Sequence, residues 1–170
     1  MAEKYCVVRT DLMSGTKQPA DLVSFRFYGA DGNPADVENG TIVKLDGLED
    51  GEREVYKAVA ASASDDIRDC ALVASEEVMY DERKKNLDEF VNEKGSIARG
   101  YLLRRGNVVS LTELGFVGGT VVAKGDKVGV GANGKIAKDG TNLGVCHDVE
   151  QTSRYTYYAI KVAPAADAGE

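Results

Sequence analysis

Several short stretches carry residue types that do chemistry elsewhere in proteins. Gly129-Val130-Gly131-Ala132-Asn133-Gly134 reads G-x-G-x-x-G. In a dinucleotide-binding fold that spacing leaves a strand, turns tightly and opens a helix whose N-terminus holds pyrophosphate. Here the following run, Lys135-Ile136-Ala137-Lys138, stops at Asp139-Gly140 and is too short for that helix. The upstream β-α-β context is also missing, so a hairpin turn at Asn133-Gly134 is the expected structure. Cys146-His147-Asp148 holds the types of a thiol nucleophile, base and orienting acid. Catalytic Cys and His usually meet across a fold, whereas neighbours on a strand point to opposite faces. His147 is the only His, and the cysteines (Cys6, Cys70, Cys146) do not form Cys-x-x-Cys pairs. A buried structural thiol, an exposed imidazole and no zinc site are expected.

Carboxylates cluster twice. Asp31, Asn33 and Asp36 lie in a turn-rich loop but lack the bidentate Glu that closes an EF-hand loop, so solvated turns are expected and no metal. Glu76, Glu77, Asp81 and Glu82 read as a solvated acidic run, not as paired catalytic acids. Asn39-Gly40-Thr41 matches a glycosylation sequon, but no basic and apolar leader precedes it to imply secretion. No catalytic, cofactor-binding or metal-binding residue is therefore expected. The candidate contact residues are apolar: Tyr155 and Tyr157 near the C-terminus, and Phe25 and Phe27 in an early strand. Aromatic rings on an exposed strand face can stack on sugars or fill a partner's pocket. Tyr158 is expected to pack inside.

The elements that must position these residues are mostly strands. The chain has 170 residues, 19 Gly, 3 Pro, 8 Tyr and no Trp. So many Gly in a Val-rich chain suggest short strands and tight turns. Alternation puts Val23, Phe25 and Phe27 on one face of a strand at 22–28. Further strands are expected at 4–10, 41–46, 55–60, 97–104, 108–112, 120–123, 127–130 and 154–162, with an apolar run at 67–74. Leu87, Phe90 and Val91 at i, i+3, i+4 predict one short α-helix near 81–94. The pattern Val-x-x-Gly-x-x-Val-x-apolar occurs at 37–45 and again at 122–130, hinting at equivalent units. The expected fold is mainly β, a small antiparallel barrel or sandwich with that one helix. The expected division is an N-terminal strand or arm over 1–36, a β-rich domain over 37–162 and a flexible acidic tail over 163–170.

Charge narrows the partners. Lys and Arg total 21 against 28 Asp and Glu, a formal net charge of −7. The basic residues are scattered among acids, which disfavours nucleic acid and anionic membrane. No apolar stretch nears the roughly 20 residues that span a bilayer. Three widely spaced cysteines suit reduced thiols in a protein made in cytoplasm.

Five stretches together carry a resemblance: YCVVRTD (5–11), GLEDGEREVYKA (47–58), MYDERKKNLDEF (79–90), ARGY (98–101) and RYTYY (154–158). They resemble a group of tailed-bacteriophage virion proteins encoded with the head genes of phages of Gram-positive hosts. The repeated Val-x-x-Gly-x-x-Val pattern also looks like small β-rich capsid decoration proteins. The resemblance implies a non-enzymatic structural protein of the virion, made in the bacterial host cytoplasm. Its implied partners are the major capsid protein and further copies of itself, with a trimer as the expected oligomer. A major capsid or head-fibre component is the alternative within the particle. A carbohydrate-binding module using Tyr155, Tyr157 and the loop around Asp31 is the alternative outside it.

Overall fold

The structure, a computed structural model, describes residues 3–13, 21–81, 83, 84 and 86–163. Among the described residues ten strands form two sheets. β1 (Leu22–Tyr28), β2 (Ile42–Leu48), β3 (Val55–Ala60), β4 (Cys70–Val73) and β5 (Ala98–Leu102) close into a barrel in the order β1-β3-β2-β4-β5. β6 (Val108–Thr112), β7 (Lys127–Val130), β8 (Ile136–Lys138), β9 (Gly144–Gln151) and β10 (Thr156–Val162) form a second sheet in the order β6-β10-β9-β7-β8. The protein is mainly β, as the alternation in the sequence predicts. The barrel is not wholly antiparallel, because β1 runs parallel to β3, with Phe25 opposite Tyr56 and Phe27 opposite Ala58.

A five-stranded barrel is narrow, so its interior must mix one large ring with small neighbours. Phe25 is fully buried there among Val43, Ala58, Ala71, Val73 and Ala98. On β5 a Cβ at Gly100 would come within 3.1 Å of both the Phe25 ring and the Ala71 methyl. β4 is buried on both faces, and the period-2 pleat explains why. Ala71 and Val73 point into the barrel, while Cys70 and Leu72 join the larger core between the sheets. Ile42 and Val43 divide in the same way on β2. From the second sheet, Tyr158, Ile160 and Val162 of β10 enter that inter-sheet core, and Tyr158 meets Phe116 edge to face at 5.3 Å. The inward alternation expected for the last strand is therefore present.

The second sheet curls almost onto itself. Phe116, just after β6, bridges in parallel to Ile136 of β8 at the far end of the strand order. The other edge, β6, is lined by the N-terminal segment. Val8 bridges Leu111, Arg9 N donates to Ser110 O at 2.9 Å, and Thr112 N donates to Val7 O at 3.0 Å. Cys6, Val7 and Val8 are buried there. Residues 6–8 thus pack in the inter-sheet core and β1 forms part of the barrel wall. Ala163 ends the described residues, and the rest of the expected tail lies outside them.

The expected helix near 81–94 is not formed. Among the described residues of that stretch the one helical turn is a 3-10 turn, Leu87–Glu89. Asn86 N donates to the Glu89 carboxylate at 3.1 Å, which starts a helical turn. Asn92 then pulls the backbone away. It exchanges both backbone hydrogen bonds with Val37, and its buried side-chain amide donates to Val37 O at 3.0 Å. Three weak helix formers, Asn86, Asp88 and Asn92, offer little propensity to resist that tertiary pairing.

Other expectations shift. In place of the strand expected at 4–10 there is only the single bridge at Val8, followed by a 3-10 turn at Thr10–Leu12. Residues 120–123 are not a strand, whereas β9 is a strand whose polar sequence hides it. Its pairing with β10 along nearly its whole length holds it extended. The Val-x-x-Gly-x-x-Val echo marks a local repeat. In each copy a glycine at positive φ, Gly40 or Gly125, turns the chain, and the next valine, Val43 or Val128, is fully buried. One copy leads into the barrel and the other into the second sheet. No helix among the described residues is long and apolar enough to cross a membrane.

Candidate functional site

The glycine motif is a packing device. It spans the end of β7 and a turn at Ala132–Gly134 that leads into strand β8, not into a helix. Each glycine sits where a neighbour leaves no room for a side chain. A Cβ on Gly129 would lie 2.8 Å from Gly140 Cα, and one on Gly131 would lie 2.8 Å from both Ala137 and Val117 side chains. One on Gly134 would lie 2.2 Å from Ile42 O, so the hairpin tip presses backbone to backbone on the barrel.

The Cys-His-Asp stretch does not converge either. On β9, Cys146 is buried in the inter-sheet core while His147 points to solvent. All three cysteines are free thiols and buried. Burial, which disfavours the thiolate, pushes the Cys6 and Cys70 thiols up to about 12 and raises that of Cys146. They are poor nucleophiles at neutral pH. The native protein should therefore resist Ellman's reagent at pH 8, with three thiols reacting only after denaturation. A rapid stoichiometric reaction in the native state would contradict this burial. The linkage has a definite sign. A thiol raised above its ordinary value of 9.0 stays protonated in the fold while the unfolded chain ionises. Its contribution is complete below pH 9 and is lost as pH climbs from there towards 12, so thermal stability falls over that window.

The described acidic residues have partners within this chain. Asp31 accepts from Asn33 N at 3.1 Å and from Asn33 Nδ2 at 2.9 Å, and Asp36 accepts from Lys94 N at 2.7 Å. Glu76 reaches Arg99, Asp81 pairs with Arg83, and Glu77 turns towards the Asn39 amide. Glu82 lies outside the described residues. Asn39 of the sequon is itself buried, its Nδ2 donating to Ser75 O at 2.9 Å. Among the described residues no three His, Cys, Asp or Glu side chains are placed to hold a metal ion.

The aromatic contact residues expected from the sequence are mostly interior. Phe25 fills the barrel and Phe27 packs, half-buried, against the same cluster. They line up as the alternation requires, but on the inner face, so Phe25 has no surface to offer a partner. Tyr157 is 4% exposed, covered by the Arg9 guanidinium 5.3 Å from its ring centre. Tyr155 meets Tyr157 edge to face at 6.0 Å and carries Arg154 over its ring. The N-terminal segment thus covers much of the aromatic face that a sugar or partner would need. Sequence alternation assigns faces but does not say which face another segment will cover.

The surface that does stand open was not singled out by the sequence. Among the described residues of 74–97 the only helical turn is Leu87–Glu89. They frame a cleft of about 670 Å³ lined by Val78, Met79, Tyr80, Phe90, Val91 and Ile97 among others. Tyr80 is 94% exposed, Val78 55% and Ile97 54%. Leu87, on the same segment, is also exposed. Clustered exposed side chains of this kind mark contact sites, whereas single ones are ordinary. The signal in the sequence is faint, because Val78, Met79 and Tyr80 form a short apolar triplet inside an acidic run that itself reads as solvated.

The fold and surface define a mainly-β protein of two packed sheets with a cleft of mixed polar and apolar lining beside exposed Tyr80. No protein-family model matches the chain, and neither a curated protein nor a solved structure matches it.

Proposed function

We propose that this chain is a non-enzymatic structural protein of a tailed-bacteriophage virion, decorating or stabilising the capsid shell through protein–protein contacts. Its partners in this reading are the major capsid protein and other copies of itself. The observation that carries the reading as a contact protein is the group of exposed apolar side chains, Tyr80, Val78 and Ile97, beside the cleft. An aromatic ring held almost wholly in water beside a cleft is costly unless a partner covers it. The sealed thiols favour the same reading, since the residues best suited to nucleophilic chemistry are buried and protonated. The assignment to a virion rests on the resemblance of the five stretches above.

The sheets constrain how contact is made. The barrel has no edge, β6 is lined by the N-terminal segment and β8 is bridged by Phe116. Side-chain docking is thus favoured over strand addition. Mass spectrometry of purified particles of the phage encoding this chain tests the reading. Copies in the hundreds per particle are expected. Absence from the particle, or only a few copies as for a portal or tail component, would overturn it.

A further inference from the structure

We infer that a second cleft, between the barrel and the tip of the β7–β8 hairpin, binds a neutral polyhydroxyl ligand of sugar size. The inference stands apart from the virion reading and from the Tyr80 surface.

The cleft holds about 670 Å³, within the range of small-molecule sites. Three parts of the chain frame it. The loop after β1 supplies Gly29, Gly32 and Asp36, the approach to β2 supplies Glu38 and Thr41, and the hairpin tip supplies Asn133 and Lys135. Phe27 of the barrel wall adds apolar surface. The loop around Asp31 thus borders this cleft, whereas Tyr155 and Tyr157 do not line it.

Thr41 carries the inference. It is 4% exposed, and its hydroxyl has no hydrogen-bond partner among the described residues. A hydroxyl sealed from water without a partner is costly, and buried ones are bonded. This one is not sealed, because Tyr155 Oη is the sole enclosed side-chain polar atom without a partner among the described residues. The small surface that Thr41 keeps therefore opens on the cleft it lines. Two further groups stand unengaged beside it. Asp36 accepts from Lys94 N at 2.7 Å through one oxygen, and its other oxygen takes no hydrogen bond from the described residues. The exposed Asn133 amide has no partner among them either.

The chemistry of these groups selects the ligand. Lys135 pairs with Glu38 and donates to Leu114 O at 2.7 Å, and Glu38 also accepts from Cys6 N at 3.0 Å, so that pair is satisfied within the chain. What stays open is a carboxylate oxygen that accepts, and an amide and a hydroxyl that each donate and accept. Sugar hydroxyls do both and match all three. An anion would be repelled by Asp36, and an ammonium group, which only donates, would leave the Asn133 N–H groups unmatched. The C–H face of a sugar ring suits the Phe27 side of the cleft.

NMR of the isotope-labelled full chain tests the inference. The probes are the methyl α-glycosides of glucose, galactose and mannose, with glucuronate as the anionic control and glucosamine, at mildly acidic pH, as the cationic one. At least one neutral glycoside should shift the Gly32, Thr41 and Asn133 amides saturably at millimolar concentration, and both charged sugars should bind more weakly. Thr41→Val and Asn133→Gly should each weaken binding by about threefold to tenfold, the worth of one hydrogen bond. Thr41→Val should leave the melting temperature unchanged or raise it, because the hydroxyl it removes has no partner to lose. Asn133→Gly preserves the hairpin tip, where residue 133 has φ +56°. No saturable shift with any of the glycosides, a charged sugar binding as tightly as the neutral ones, or binding indifferent to both substitutions would overturn the inference. So would a melt lowered by Thr41→Val, which would show that the hydroxyl is bonded inside the chain.

Discussion

Gly134→Ala should lower the thermal midpoint by about 5–15 °C, from a loss of roughly 2–5 kcal/mol. Two costs combine. Gly134 has φ +71°, a conformation that strains any residue with a Cβ. The new methyl would also lie 2.2 Å from Ile42 O and 2.9 Å from the Thr41 side chain. Neither sheet can yield cheaply, because β2 is held by β3 and β4 and the hairpin by β9. Gly47→Ala is the control. Gly47 also has positive φ, at +93°, but nothing lies within 4 Å of its added methyl. It should pay the conformational cost alone, about 1 kcal/mol. Equal melting temperatures for the two variants would show that the hairpin tip does not press on the barrel as described.

Removing residues 1–9 should have the second large effect. Cys6, Val7 and Val8 are each at most 4% exposed. Their burial is worth about 4–7 kcal/mol as an upper estimate, against roughly 5–15 kcal/mol for a whole domain. Cys6 lies in a slot built for it. A Cβ on Gly40 would come 2.4 Å from its sulfur, and one on Gly115 would come 2.9 Å from it. Without the segment that slot empties, and the Ser110 and Thr112 backbone groups of β6 lose their partners. The truncated chain is expected to melt well below the native chain and to aggregate through the bared strand edge. Light scattering during a melt reads both effects. A truncated chain that stays monomeric and melts within a few degrees of the native one would contradict this role.

The strand alternation at 22–28 and 154–162 was legible because a half-buried strand must repeat every two residues. It grouped Phe25 with Phe27, and Tyr158 with Ile160 and Val162, on common faces, although it offered the Phe25 face to a partner and that face is interior. The same regularity could not say that the Phe25 face closes into a barrel or that Arg9 lies over Tyr157. Those are contacts between segments far apart in the chain, and local pattern carries no term for them. The 81–94 stretch failed for a related reason. Its i, i+3, i+4 apolar spacing is a real helical signal, but the bonds between Asn92 and Val37 outweigh it.

The candidate site divides along the same line. The sequence alone dismissed the glycine motif and the Cys-His-Asp stretch, because each lacked the neighbouring elements its chemistry needs. It determined a mainly-β chain, the short strands and the glycine turns, all of which follow from local sterics and side-chain period. The tertiary structure decided which glycines touch backbone, which thiols are sealed from solvent and which aromatic residue stands in water. Tyr80 is exposed, and Tyr157 is not, because of where the 74–97 segment and the N-terminal segment come to rest on the two sheets. That placement is set by long-range packing between distant parts of the chain.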